Sequence, residues 1–328
     1  MGKVLTSKTL WVGALLALVL IASAVWFWWQ REQSRWDLDL LAHLPAQADL
    51  YVVADLEALQ SNAAVRGYLA DPPEHSREQE YQRFVEATGF RYQDHLKRLA
   101  LAKLGADWMG VARAELDAAK IEQYTEAQGG RKFQQQGRTV YEFGTTRPFR
   151  LTLLEQNLVL FTIGEDAGNI RQALQMYLKP SGSSGAAELQ QGEDLRHIRQ
   201  GSSLWAVGRM EKLRGGEDSG PRFGAFELSQ SLLQGSKTLY VSAQSTPLQL
   251  QFQAENYCDS PETAERIASF LQALLKILRA PPSSAPQQGQ ANPAAFLSDL
   301  SVRQAGESVF IEWQWNEQVW RWLREQSK

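Results

Sequence analysis

The sequence predicts an α+β fold: one N-terminal transmembrane helix, then an exported region of mixed strands and helices that reads as two related halves. Three observations predict it. Residues 9–30 carry no charge. Beyond them, short apolar runs of strand length alternate with segments of helical periodicity. A pattern met near residue 50 then returns near residue 204.

The uncharged run comes first. Leu10–Trp29 is twenty mostly apolar residues, which as a helix span ~30 Å, the thickness of a bilayer's hydrocarbon core. Lys3 and Lys8 precede it, and Arg31, Glu32, Arg35, Asp37 and Asp39 follow. The positive excess upstream places residues 1–8 in the cytoplasm and the bulk of the chain outside it, as in a single-pass protein of a bacterial inner membrane. Trp26, Trp28 and Trp29 stand at the far end, where indole rings favour the lipid–water interface. The rival reading is a cleaved signal peptide, with Ala22-Ser23-Ala24 as the processing site. Against it, the apolar run continues past that site, and bulky aromatics would begin the mature chain. Both readings export the remainder. Met1–Thr6 also fits a myristoylation pattern, and Gly13 with Ala17 a close-packing pair, but the span needs neither.

Composition bounds the exported part. The 328 residues suit one large domain or two ordinary ones, and 44% hydrophobic with 22% charged residues is a globular composition. Lys3 and Lys8 are the only charged residues among the first thirty, so a chain of net charge −3 leaves a remainder of −5. That balance gives no electrostatic reason to bind nucleic acid. Cys258 is the sole cysteine, which excludes an internal disulfide.

The first half spans 31–180. Leu50–Ala54 reads as a buried strand, with a helical pattern from Asp55 or Leu56 through Val65 that ends at Asp71-Pro72-Pro73. Tyr81, Phe84, Val85 and Thr88 recur at helical spacing, and Gly89 provides a stop. Strands are expected at Leu99–Leu104 and Met109–Ala114, joined by Gly105-Ala106-Asp107. Asp117 then caps a helix that ends at Gly129-Gly130. Strands near 139–143, 149–154 and 158–163 follow, the last two joined at Glu155-Gln156-Asn157. Ile170, Leu174 and Tyr177 line one face of the next helix.

Residues 181–194 read as a flexible connection, and 195–328 as the second half with a mobile loop at 280–295. Leu204–Leu213 can be laid over Leu50–Leu59: aromatic meets aromatic, Glu meets Glu, and Leu meets Leu at both ends. Paired strands come next, at Thr238–Ala243 and Leu248–Ala254. The second ends in Ala254-Glu255 as its counterpart ends in Ala114-Glu115. Ser260-Pro261 is a strong helix start, with Ile267, Phe270, Leu271, Leu274, Leu275 and Leu278 as its apolar stripe. Strands near Leu300 and at Val309–Trp315 precede a final helix from Asn316.

Chemistry is sparsely marked. His43, His75, His95 and His197 have no ligand spacing, so no metal site is expected. No HExxH, GxSxG or P-loop pattern occurs, and no cofactor is implied. Glu115, Asp117 and Glu255 are carboxylates where a strand gives way to a helix. They are the candidate catalytic residues, with helix capping as the competing account. Trp320 lies off the apolar stripe of Val319, Trp322 and Leu323, which makes it the candidate partner-binding residue.

The stretch Leu44–Asp55, following the anchor, resembles the start of uncharacterised bacterial membrane-anchored envelope proteins that carry a domain of unknown function. The resemblance covers that opening and the general order of elements; it implies no activity and transfers no functional residues. The expected function is a membrane-anchored, extracytoplasmic binding or assembly module without catalytic activity. Its partners would be the lipid bilayer and other envelope proteins, not nucleic acid. The alternatives are an envelope hydrolase using strand-end carboxylates and an accessory subunit of a larger membrane complex.

Overall fold

The computed structural model describes residues 38–70, 78–144, 147–179, 183–214, 222–223, 226–227, 233–279 and 297–315. The expected span at 9–30 with Trp26, Trp28 and Trp29, the loop at 280–295, the helix from Asn316 and Trp320 all lie outside these residues.

Alternating apolar residues make β1 (Leu50–Asp55), with Tyr51 and Val53 pointing into the core. Asp55 ends the strand and caps α1 (Leu56–Gln60), its side chain accepting from Ala58 N at 2.9 Å. Then come α2 (Ala63–Ala70), α3 (Glu78–Thr88) and α4 (Tyr92–His95). Gly89, at φ 73°, closes α3 by donating its N–H to Val85 O. The hairpin β2 (Leu96–Leu104) and β3 (Asp107–Ala114) turns at Gly105-Ala106, and α5 (Ala118–Ala127) follows. The strands β4 (Arg131–Gln135), β5 (Arg138–Phe143), β6 (Phe149–Leu153) and β7 (Leu158–Ile163) form a meander, and α6 (Gly168–Leu178) returns across the sheet. The sequence does not signal β4, whose five residues are all exposed or half-exposed.

The stretch expected as a flexible connection contains a helix. Ser184 caps α7 (Gly185–Gln191), and a short turn Asp194–His197 follows. The second half then builds β8 (Leu204–Arg209), α8 (Met210–Arg214), a small ribbon of β9 (Arg222–Phe223) and β10 (Phe226–Glu227), and the hairpin β11 (Ser236–Ser245) with β12 (Leu250–Cys258). It ends in α9 (Pro261–Arg279), β13 (Ser301–Ala305) and β14 (Ser308–Trp315). Ala254-Glu255 therefore does not close its strand. The strand's apolar run fades there, but the ladder continues to Cys258, so the strand-end acid matching Glu115 is Asp259 rather than Glu255.

Twelve strands form one antiparallel sheet in the order β13-β14-β12-β11-β8-β1-β2-β3-β7-β6-β5-β4. The halves meet near its centre at the β1–β8 pair, with five strands on one side and seven on the other and Val52 opposite Ala206. Outward from that pair, both sides place a long hairpin and then a second returning pair.

Both faces of the sheet are covered, by different elements. On the first face, the strap of residues 38–48 buries Leu40, Leu41 and Leu44 together with α6 and α7 against Tyr51, Val53, Met109, Val111, Leu160, Trp205 and Val207. On the second face, α5 and the aromatics around Phe84 and Phe143 cover Ala112, Val159 and Leu151. There, α9 also sets Ala264, Ile267 and Ala268 on Cys258 and Val309. Phe270, expected in the stripe of α9, is 46% exposed instead.

Candidate functional site

Along β8, Trp205, Val207 and Arg209 share the buried face. An arginine in that row needs an acceptor, because a desolvated charge without one is costly. Asp194, 3% exposed, provides it: Arg209 Nη1 and Nη2 donate to its two carboxylate oxygens at 2.9 and 2.6 Å. Tyr240 OH donates to the same carboxylate at 2.7 Å. On the other side, Arg209 Nη2 lies 3.5 Å from Glu188 of α7, and Tyr51 OH donates to Glu188 at 2.7 Å.

The row continues outward. The His197 ring lies on Tyr240, and its Nδ1 is 3.0 Å from Glu255 Oε2. Ser308 Oγ donates to Glu255 Oε1 at 2.6 Å. Tyr51, Arg209, Tyr240, Glu255 and Ser308 thus form one polar row across five neighbouring strands, β1, β8, β11, β12 and β14. The connection between the halves contributes Glu188, Asp194 and His197 from above.

The electrostatics follow from this packing. Burial, then the hydrogen bond to Glu188, raises the Tyr51 phenol well above its ordinary range. Burial, then the bond to Asp194, does the same for Tyr240. The bond to Asp194 outweighs burial at Arg209 and holds its guanidinium charged. Gly185 lets α7 approach, since a Cβ there would stand 2.7 Å from Tyr51 Cε1. Beside the row opens a groove of ≈ 540 Å³ lined by Arg209, Lys212 and Lys237 and by Glu188, Glu211 and Asp259, a mixture that selects neither sign of ligand.

The candidate carboxylates do not converge. Glu115 is an exposed partner of Lys97 at 2.9 Å, and that bond holds its carboxyl below the usual range. Asp117 caps α5, accepting from Ala119 N at 2.9 Å and Lys120 N at 3.3 Å. Glu255 alone belongs to the buried row, as a mid-strand residue. Among the described residues, no three His, Cys, Asp or Glu side chains are grouped to hold a metal ion.

Local sequence does not mark Asp194, Arg209 and Tyr240 as a cluster, since Arg209 and Tyr240 lie 15 and 46 positions from Asp194. The one available signal is Arg209 itself, continuing the inward alternation of Trp205 and Val207.

The sequence matches no protein-family model and no curated protein. Among solved structures it is similar to TP0453. Against crystal form IV the TM-score is 0.48 at 10% identity, over 88% of this chain and 96% of that one. Against crystal form III it is 0.46 at 10% identity, over 87% and 97%.

Proposed function

We propose that the chain is a membrane-anchored binding or assembly module without catalytic activity, its N-terminus in the cytoplasm and its bulk in the periplasm of a bacterium. One observation carries the reading. Each acid of the row, the buried Asp194 and Glu255 and the half-buried Glu188, is held by partners within the chain, and these bonds tie the connection between the halves to the sheet. Such a cluster stiffens a scaffold, whereas a general acid or base must keep a position open toward substrate. The anchor rests on the uncharged run at 9–30; among the described residues no helix is long and apolar enough to cross a membrane.

The test is photo-crosslinking of the full chain in intact cells, with a periplasm-only reporter fused after Lys328. Discrete adducts with envelope proteins and an active reporter are expected. A cytoplasm-only reporter active at that position would overturn the topology, and hydrolysis of an envelope glycan or peptide by the purified chain would overturn the rest.

The hydrolase reading keeps one observation in its favour. His197 turns Nδ1 to Glu255 at 3.0 Å, and its side chain is 22% exposed, so the buried carboxylate is paired with a partly solvent-accessible imidazole. Hydrolysis lost in His197→Gln at unchanged melting temperature would establish that reading.

We also propose that the two halves are related. In support, β1-β2-β3-β7-β6 and β8-β11-β12-β14-β13 repeat one order of pairing outward from the β1–β8 pair. The sequence match of Val52 with Ala206 coincides with the register of that pair. The helices after Asp117 and Ser260 both follow the third strand of that order. Relatives' sequences aligned separately for each half should match one another; no match above shuffled sequences would refute the duplication.

A further inference from the structure

The registers define two ends of the sheet. At one end lie Asp55, Arg98, Arg113 and the Ser245–Leu250 turn; at the other lie Leu50, Lys103, Trp108 and the last residues of β8 and β12. The strap runs between them. His43 packs its ring against Tyr177 and feels the charge of Arg113 at the first end, and Asp49 N donates to Lys103 O at the second. The described chain begins at Leu38, five residues before His43, so the strap starts on the side of the first end and leads to the second.

Exposed apolar side chains also stand at the first end, on three separate elements. Leu248, 87% exposed, is in the β11–β12 turn. Ile277, 71% exposed, is in the last turns of α9, which leaves the opposite end after Cys258 and finishes where Arg279 donates to Leu297 O. Leu178, 43% exposed, ends α6 beside Tyr177. Among the described residues, Phe270 is the one exposed large hydrophobic that lies elsewhere, in the middle of α9. Three elements distant in sequence thus put aliphatic tips at one end of the sheet.

Chain length selects what covers them. Residues 31–37 separate the expected span from the strap. Fully extended, seven residues reach only about 25 Å. Leu40 and Leu41 are fixed in the core at 1% and 0% exposure, so the strap cannot pay out more chain. An end of the domain held so close to a bilayer, with aliphatic tips on it, matches the headgroup–acyl boundary.

We propose that this end of the sheet rests on the bilayer that holds the anchor, with Leu248, Ile277 and Leu178 at headgroup depth. The inference relies on the anchor proposed above.

The test uses the full chain in phosphatidylethanolamine–phosphatidylglycerol vesicles, labelled with an environment-sensitive fluorophore at Leu248→Cys, Ile277→Cys or Ala106→Cys. The native Cys258 is fully buried and stays unlabelled in the folded chain. Ala106 is exposed in the β2–β3 turn at the opposite end. A headgroup spin-labelled lipid should quench the probes at 248 and 277 and leave the probe at 106 bright. If the chain floats with the vesicles but the probes at 248 and 277 are not quenched, the docking is wrong and the anchor stands. If those probes shift to the blue without quenching, a protein surface covers this end instead, and the proposal falls. A chain that does not float with vesicles overturns the anchor and the docking together.

Discussion

His197 lies flat on Tyr240, with ring centroids 4.4 Å apart and planes 10° from parallel. The two rings bond in different directions, Tyr240 to Asp194 and His197 to Glu255. Asp194 and His197 are the first and last residues of one short turn, so the sheet grips that turn at both ends.

The first prediction concerns this grip. Asp194→Ala leaves Arg209 and Tyr240 facing each other without their shared acceptor. Breaking a buried pair on one side costs about 3 kcal/mol or more. Tyr240→Phe removes only a hydrogen bond to a charged acceptor and should cost about 1.5–3 kcal/mol. Urea unfolding of the full chain in detergent checks both; equal, negligible effects would show that the row does not hold the connection.

Acid should loosen the strap. Burial lowers the His43 pKa below its ordinary value; Asp39 opposes this and Arg113 adds to it. Its Nδ1 is buried without a partner. Because the folded-state value is depressed, the unfolded chain takes up the proton first as pH falls. The stability from neutral His43 is complete above about pH 6.5 and declines as pH drops from there toward the depressed value. Hydrogen exchange of residues 38–48 should therefore quicken on acidification through that window, and His43→Phe should flatten the response. Identical pH dependence in the variant would assign the effect elsewhere.

Thr152 is fully buried on β6, and its hydroxyl finds no hydrogen-bond partner. Thr152→Val keeps the shape and removes an unsatisfied polar group, so it should stabilise the fold by ~1 kcal/mol. A higher melting temperature checks this. A lower one would mean that the hydroxyl is satisfied in solution.

Asp117 separates capping from chemistry. Asp117→Ala should cost ~0.5–2 kcal/mol, while Asp117→Asn, an equally good cap, should cost much less. The unfolding midpoints of the two variants decide it. Negligible effects from both, with loss of a cellular function, would revive the catalytic reading of this carboxylate.

Local chemistry was legible. Asp55, Asp117 and Ser260 mark helix starts, Gly89 and Gly129 mark helix ends, and the β2–β3 turn follows Gly105, because each acts through its own few neighbours. Pairing at a distance was not. Glu255 reads as a strand-end acid, since nothing near it announces His197, 58 positions away, or Ser308, 53 positions away. Helix α7 was hidden for a different reason. Its Ser/Gly-rich lead is a turn composition, and the helix is held by Tyr51 and Leu44 from the far side of the first half.

Pairing β1 with β8 has a consequence for synthesis and export. Two separate sheets would expose four edge strands, whereas the joined sheet exposes two, β13 and β4. Both are five residues long and carry arginine or lysine, which discourages pairing with strangers. The inner edge of β1 has no such guard: Leu50–Asp55 carries only an aspartate at its end. It must wait for β8, made some 150 residues later. During that interval an apolar strand of the first half is an open template, so this chain is most prone to aggregate when half made. A chaperone that shields residues 50–55 until Leu204–Arg209 emerges would protect it at its weakest moment.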